Sequence, residues 1–142
     1  MSSRLINSLA TTEALASAFS DRTLLQAMVD FEAALARAEA GLGLIPESAA
    51  AAIARVAVAH DLDLDDIVAG ARAHATASIA MVRALEVRVA AVDPEAARYV
   101  HLGATSQDVF DTALILCIRA AWASIESDHT TPFMPKPTTA PL

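Results

Sequence analysis

Between positions 21 and 42 the apolar residues Leu24, Met28, Phe31, Leu35, Ala38 and Leu42 recur at alternating steps of four and three, which lines them along one stripe of a helix. Gly41 and Gly43 supply its stop. Ile45-Pro46-Glu47 opens a second helix, because proline is tolerated in a first turn where its missing N–H has no partner to lose, and Ala-rich sequence carries it to about Ala59. The acidic run Asp61-Leu62-Asp63-Leu64-Asp65-Asp66 places carboxylates before and within the first turn of a short helix over 67–73, where the helix dipole favours them. It reads as capping rather than a calcium loop, which needs a glycine at its sharp turn and a bidentate acid at its end. A further helix over 78–92 carries Ile79, Val82, Leu85, Val89 and Val92 on one face, and Asp93-Pro94 ends it and starts a helical turn over 95–99.

The next element, predicted over 105–126, is apolar nearly all round: Val109, Phe110, Leu114, Ile115, Cys117, Ile118, Trp122 and Ile125 leave no polar face. Such a helix is expected to be buried from every side, as in the centre of a bundle or at an interface between copies. Asp108, Asp111 and Arg119 interrupt the run and leave fewer than the roughly 20 apolar residues a bilayer span requires. After Glu126 the character changes. Residues 127–142 hold four of the six prolines and no helical period, and are expected to form a disordered Pro/Thr tail.

Composition supports an all-α fold of packed helices. About a quarter of the 142 residues are alanine, aromatics are 4% and only four glycines are present. A net charge of −7 would repel phosphate backbones and anionic lipid, so neither a nucleic-acid nor a membrane partner is expected. The single cysteine, Cys117, has no internal disulfide partner and reads as a small core residue, and no apolar leader follows the N-terminus, which together point to the cytoplasm.

The stretch most able to carry chemistry is Val100-His101-Leu102-Gly103-Ala104-Thr105-Ser106-Gln107-Asp108, where a loop with one histidine and one glycine runs into hydroxyls at the mouth of a long helix. Thr105 and Asp108 have the spacing of a capping box. The free N–H groups and positive end of such a helix suit a carboxylate or phosphate, and Gly103 lets a ligand approach the backbone. Plain capping, with His101 as a turn residue, accounts for the same residues. His60 follows an Ala-rich helix and is expected to meet its C-terminal carbonyls, His74 has no placed partner and His129 lies in the tail, so none of the three is expected to be catalytic.

The segment 99–119, YVHLGATSQDVFDTALILCIR, resembles the first signature region of the fumarase/aspartase superfamily. Residues 19–46, FSDRTLLQAMVDFEAALARAEAGLGLIP, resemble the amino-terminal helix pair of its cycloisomerase branch, and the likeness extends over about 5–126. The resemblance implies an amino-terminal helical domain, 1–104, leading into the first long helix of a central bundle, 105–126. It also implies a homotetramer, active sites built from three subunits, and neither a metal nor an organic cofactor. The implied activity is that of an intramolecular lyase closing 3-carboxy-cis,cis-muconate to carboxymuconolactone in bacterial protocatechuate breakdown, with a di- or tricarboxylate as the small-molecule partner. Thr105 and Ser106 are then expected to bind a substrate carboxylate with His101 close by, Gln107 is a lesser candidate for the same contact, and Gln107 and Asp108 are expected to hold the loop.

Two departures from the family pattern qualify this. The second and third signature regions, a Thr-His segment and a mobile serine loop ending in Met-Pro-x-Lys, have no counterpart, and Met134-Pro135-Lys136 lacks the preceding serines. The chain is therefore expected to be a fragment, cut short or frameshifted after about Glu126, without a complete catalytic set and inactive alone. The other departure is at Ala75-Thr76-Ala77-Ser78-Ile79-Ala80, where the cycloisomerase pattern reads Gly-Asn-Ser-Ala-Ile-Pro. Thr76 is a lesser candidate for substrate contact there, and Ala77 has lost the serine. Two alternatives remain: a fragment of an adenylosuccinate-lyase-like enzyme, whose phosphate-bearing substrate calls for a basic cluster not visible here, and a non-catalytic helical module that assembles through 114–122.

Overall fold

The computed structural model describes residues 11–130, with side chains as far as Ser127. Among them every regular element is helical: α1 (Glu13–Ala18), α2 (Asp21–Gly41), α3 (Glu47–Val56), α4 (Leu64–His74), α5 (Ala77–Val92) and α6 (Ser106–Thr130), with short 3-10 turns at Ala59–Asp61 and Ala96–Tyr99. The starts of these helices are written in polar side chains. Thr12, Ser20, Asp63 and Thr76 each accept a hydrogen bond from a backbone N–H of the turn they cap. The acidic run thus serves as a cap, with Asp63 accepting from Asp65 and Asp66. α2 ends in a Schellman turn: Gly43 at φ +71° lets its own N–H reach Ala40 and the N–H of Leu44 reach Glu39.

α2 is the axis of the fold, packed between α3 and α6, while α4 and α5 form a hairpin beside it. Its buried face differs from the predicted stripe. Leu25, Met28, Val29, Glu32, Ala36 and Glu39 are buried, whereas Ala38 and Leu42 are exposed and Leu24, Phe31 and Leu35 lie at the margin. Having partners on two sides turns the buried face away from the largest side chains and brings two glutamates inward. On α5, Val82, Leu85 and Val89 are buried as the period predicts, with Ser78 and Met81 beside them, but Val92 is exposed.

α6 departs from expectation at its end, and within one chain its burial is partial. The chain by itself buries the stripe Val109, Ala113, Cys117 and Ala121, spaced by four, and the rest of the expected burial would fall to neighbouring copies. Ile115 and Trp122 are 61% and 60% exposed, and Leu114, Ile118 and Ile125 also face outward. The helix also runs on through Thr130, so residues 127–130 continue it instead of beginning a tail. The remainder of the predicted tail, 131–142, lies outside the described residues. Among the described residues no helix is long and apolar enough to cross a membrane.

Candidate functional site

The turn between the second 3-10 element and α6 carries the residues singled out by their chemistry. His101 sits at φ +59°, in the left-handed region, and Gly103 follows at φ +72°. A non-glycine residue held there costs of order 1 kcal/mol or more and persists only where its surroundings fix it. Glu32 of α2 does the fixing. One of its carboxylate oxygens accepts the backbone N–H of His101 at 3.1 Å, and the other meets the ring Nδ1 at 2.7 Å. Glu32 is 1% exposed. Burial pushes its carboxyl above the ordinary range, and the hydrogen bonds and charge of His101 partly offset this. One turn pair further along α2, Glu39 is also buried against this loop, its Oε1 4.0 Å from where a Cβ on Gly103 would stand. Glu39 Oε2 has no hydrogen-bond partner among the described residues, and burial raises this carboxyl too.

α6 starts on a reciprocal cap. The hydroxyl and backbone N–H of Thr105 both donate to Asp108 Oδ2, at 2.7 and 2.8 Å, and the N–H of Asp108 donates back to the Thr105 hydroxyl at 3.3 Å. The bonds from Thr105 hold the Asp108 carboxyl below the usual range. The start of α5 lies against this one. Ser78, fully buried, donates through Oγ to the carbonyl of Ser106 at 3.0 Å, while Thr76 caps α5 by accepting from the N–H of Ser78 at 3.2 Å. Two helix N-termini, each carrying partial positive charge and free N–H groups, are thereby tied together beside His101.

Between them lies a recess of about 210 Å³ lined by Ser78, Ile79, Arg83, Glu86, His101 and Ser106, among others. Of the residues expected at the site, His101 and Ser106 line it. Thr105, Gln107 and Thr76 do not: the Thr105 hydroxyl is engaged by Asp108, Gln107 donates to Asp111 at 2.6 Å, and Thr76 is a cap. The Ser106 hydroxyl, two helix starts and the Arg83 guanidinium, set against the single carboxylate of Glu86, suit a ligand bearing carboxylates. A larger groove of about 500 Å³ between α2 and α6, lined by Asp30, Cys117 and Arg119 among others, contains none of the expected residues. Among the described residues no three His, Cys, Asp or Glu side chains converge to hold a metal ion.

Sequence reasoning missed Glu32, Glu39 and Ser78. The signal for the glutamates was present, since Leu25, Val29, Glu32, Ala36 and Glu39 follow the helical period one residue out of step with the stripe chosen. Ser78 stands one position after Ala77, and its hydroxyl is spent on the Ser106 carbonyl.

Comparison with known proteins identifies the family and the fold. Residues 8–131 match a protein family described as Lyase. The chain is 47% identical over 128 residues to the 3-carboxy-cis,cis-muconate cycloisomerase of Pseudomonas putida, an alignment covering 90% of this chain and 30% of that protein. It is 50% identical over 111 residues to the nitrosuccinate lyase of Streptomyces davaonensis, covering 78% and 23% respectively. The crystal structure of the 3-carboxy-cis,cis-muconate lactonizing enzyme from Pseudomonas putida superimposes with a TM-score of 0.84 at 47% identity, over 89% of this chain and 29% of that one. The chain thus spans about 30% of the length of the curated cycloisomerase.

Proposed function

The chain belongs to the lyase family matched over residues 8–131, and on that premise we propose that it is the amino-terminal segment of a 3-carboxy-cis,cis-muconate cycloisomerase, supplying the enzyme's carboxylate-binding corner. The observation that carries the reading is the hydrogen bond from Ser78 to the Ser106 carbonyl. It joins two helix N-termini into one recess with His101 on its wall.

Lactonisation joins a carboxylate oxygen to a carbon–carbon double bond of the same molecule. The displaced electron pair is held on another carboxylate as an aci-carboxylate until a proton reaches the adjacent carbon. Charge therefore grows on a carboxylate in the transition state, and preorganised N–H and O–H dipoles stabilise it without reorganising. Ser106 contributes its hydroxyl and the start of α6. Thr105 acts through its cap with Asp108, which keeps that helix start formed. His101 stands where it can exchange a proton with the recess.

The rest of the acid/base set lies outside these residues in this reading, so the 142-residue chain alone turns nothing over. The outward apolar face of α6 packs against copies in a homotetramer. The reaction is a cytoplasmic step of protocatechuate breakdown. Exchanging residues 8–131 into the Pseudomonas putida cycloisomerase tests the proposal, with nitrosuccinate offered in parallel. Retained lactone formation is the expected result. Turnover of nitrosuccinate alone would reassign the substrate, and no turnover of either would overturn the reading.

A further inference from the structure

Glu32 lies on α2, 69 residues before His101 in sequence, yet both of its oxygens are spent on that one residue. We propose that Glu32 is a positioning residue that fixes the tautomer of His101, so that Nε2 is the ring nitrogen that gains and loses a proton in the recess.

Donors and acceptors around the ring decide its tautomer. Glu32 takes the backbone N–H of His101 on one oxygen and meets Nδ1 with the other, bonds that favour its ionised form against the burial that raises its pKa; an ionised carboxylate only accepts, so at 2.7 Å the proton sits on Nδ1. The bond is served whether the ring is neutral or charged, and Nδ1–H is therefore retained in both states. Nε2 makes no hydrogen bond among the described residues, and the ring, 19% exposed, lines the recess with Ser106. The second oxygen of Glu32 holds the backbone N–H of the same residue, which fixes the carboxylate opposite the ring. Which nitrogen of a histidine is protonated is set by the partner of the other, and a buried carboxylate is a strong partner. Arg83 and Glu86 are the charged groups that share the recess wall.

The assignment itself does not need the proposed function; its consequence for turnover rests on that reading. Long-range 15N–1H correlation spectra of the histidine rings in the intact 142-residue chain, at a pH where the ring is neutral, test the assignment directly. The expected result is His101 with Nδ1 protonated and Nε2 bare, against the Nε2–H form that free histidine prefers. Glu32→Gln is expected to reverse it. A glutamine has one acceptor oxygen, which the fixed backbone N–H of His101 claims, leaving the amide NH2 to donate to Nδ1 and driving the proton to Nε2. An Nε2–H ring in the wild-type chain would overturn the proposal, as would an unchanged tautomer in a folded Glu32→Gln variant; if that variant does not fold, the wild-type spectrum decides. In the exchanged cycloisomerase, Glu32→Gln is expected to lower kcat by about a hundredfold with KM little changed. A lowered KM-side affinity with kcat intact would mark a structural role only. Absence of turnover before any substitution would defeat the functional reading, while the spectrum would still judge the tautomer.

Discussion

Glu39 faces the same loop as Glu32 but has no histidine to share its charge. Its carboxyl is raised by burial, so the folded chain holds this proton more tightly than the unfolded chain does. Stability from this group is therefore greatest below the ordinary glutamate pKa of about 4.3, and is lost as pH rises through the raised value. Glu39→Met is expected to stabilise the chain by about 1 kcal/mol at pH 8, with the gain fading towards pH 4. Urea unfolding at the two pH values measures it, and a gain independent of pH would count against a buried carboxylate. Ala75 makes a second case. It closes α4 at φ +57°, a conformation glycine adopts without strain, and glycine is what the cycloisomerase pattern has there. Ala75→Gly is expected to add about 1 kcal/mol to the unfolding free energy. Neither residue's condition was legible from the sequence alone, because burial and φ are set by what packs nearby. The positions themselves were visible: Ala75 as a departure from a glycine, Glu39 as a charge in an apolar register.

The helices were legible wherever start and stop signals are local. Ser20 and the Gly43 turn fix the ends of α2 with side chains or backbone a few residues away, so sequence spacing was enough there, while α4 begins at Leu64, three residues before the start the acidic run suggested. The Thr105–Asp108 box is of the same kind, and it bears on the site. Thr105→Ala is expected to cost about 1 kcal/mol of stability at neutral pH. Since Asp108 is held below its ordinary pKa, the share of the cap that its carboxylate makes with Thr105 is present above that ordinary value and is lost as pH falls through the depressed one. Thermal unfolding of the variant and parent at neutral and strongly acidic pH checks the sign: the difference should shrink in acid, leaving the part due to the Asp108 N–H that the Thr105 hydroxyl accepts. What stayed hidden was which face each helix buries. The true face of α2 depends on having α3 on one side and α6 on the other, and the Glu32–His101 pair spans elements far apart in sequence.

At the scale of the molecule, the outward side of α6 is the feature a single chain leaves uncovered. Leu114, Ile115, Ile118, Trp122 and Ile125 form a continuous apolar face, larger in character than isolated surface hydrophobics and of the kind that marks an interface. The chain is expected to self-associate through it, and the double variant Ile118→Glu with Trp122→Glu to sediment as a smaller species. Identical sedimentation of parent and variant would remove this face from any assembly. The fold as a whole positions a recess between two helix starts, and its central claim is that Ser106 in that recess meets the substrate's carboxylate. The most direct measurement is kcat/KM for 3-carboxy-cis,cis-muconate of the Pseudomonas putida cycloisomerase carrying residues 8–131 of this chain, with and without Ser106→Ala. The account predicts a loss of about tenfold or more, the scale of removing one donor to a growing negative charge. A rate unchanged by Ser106→Ala would contradict it.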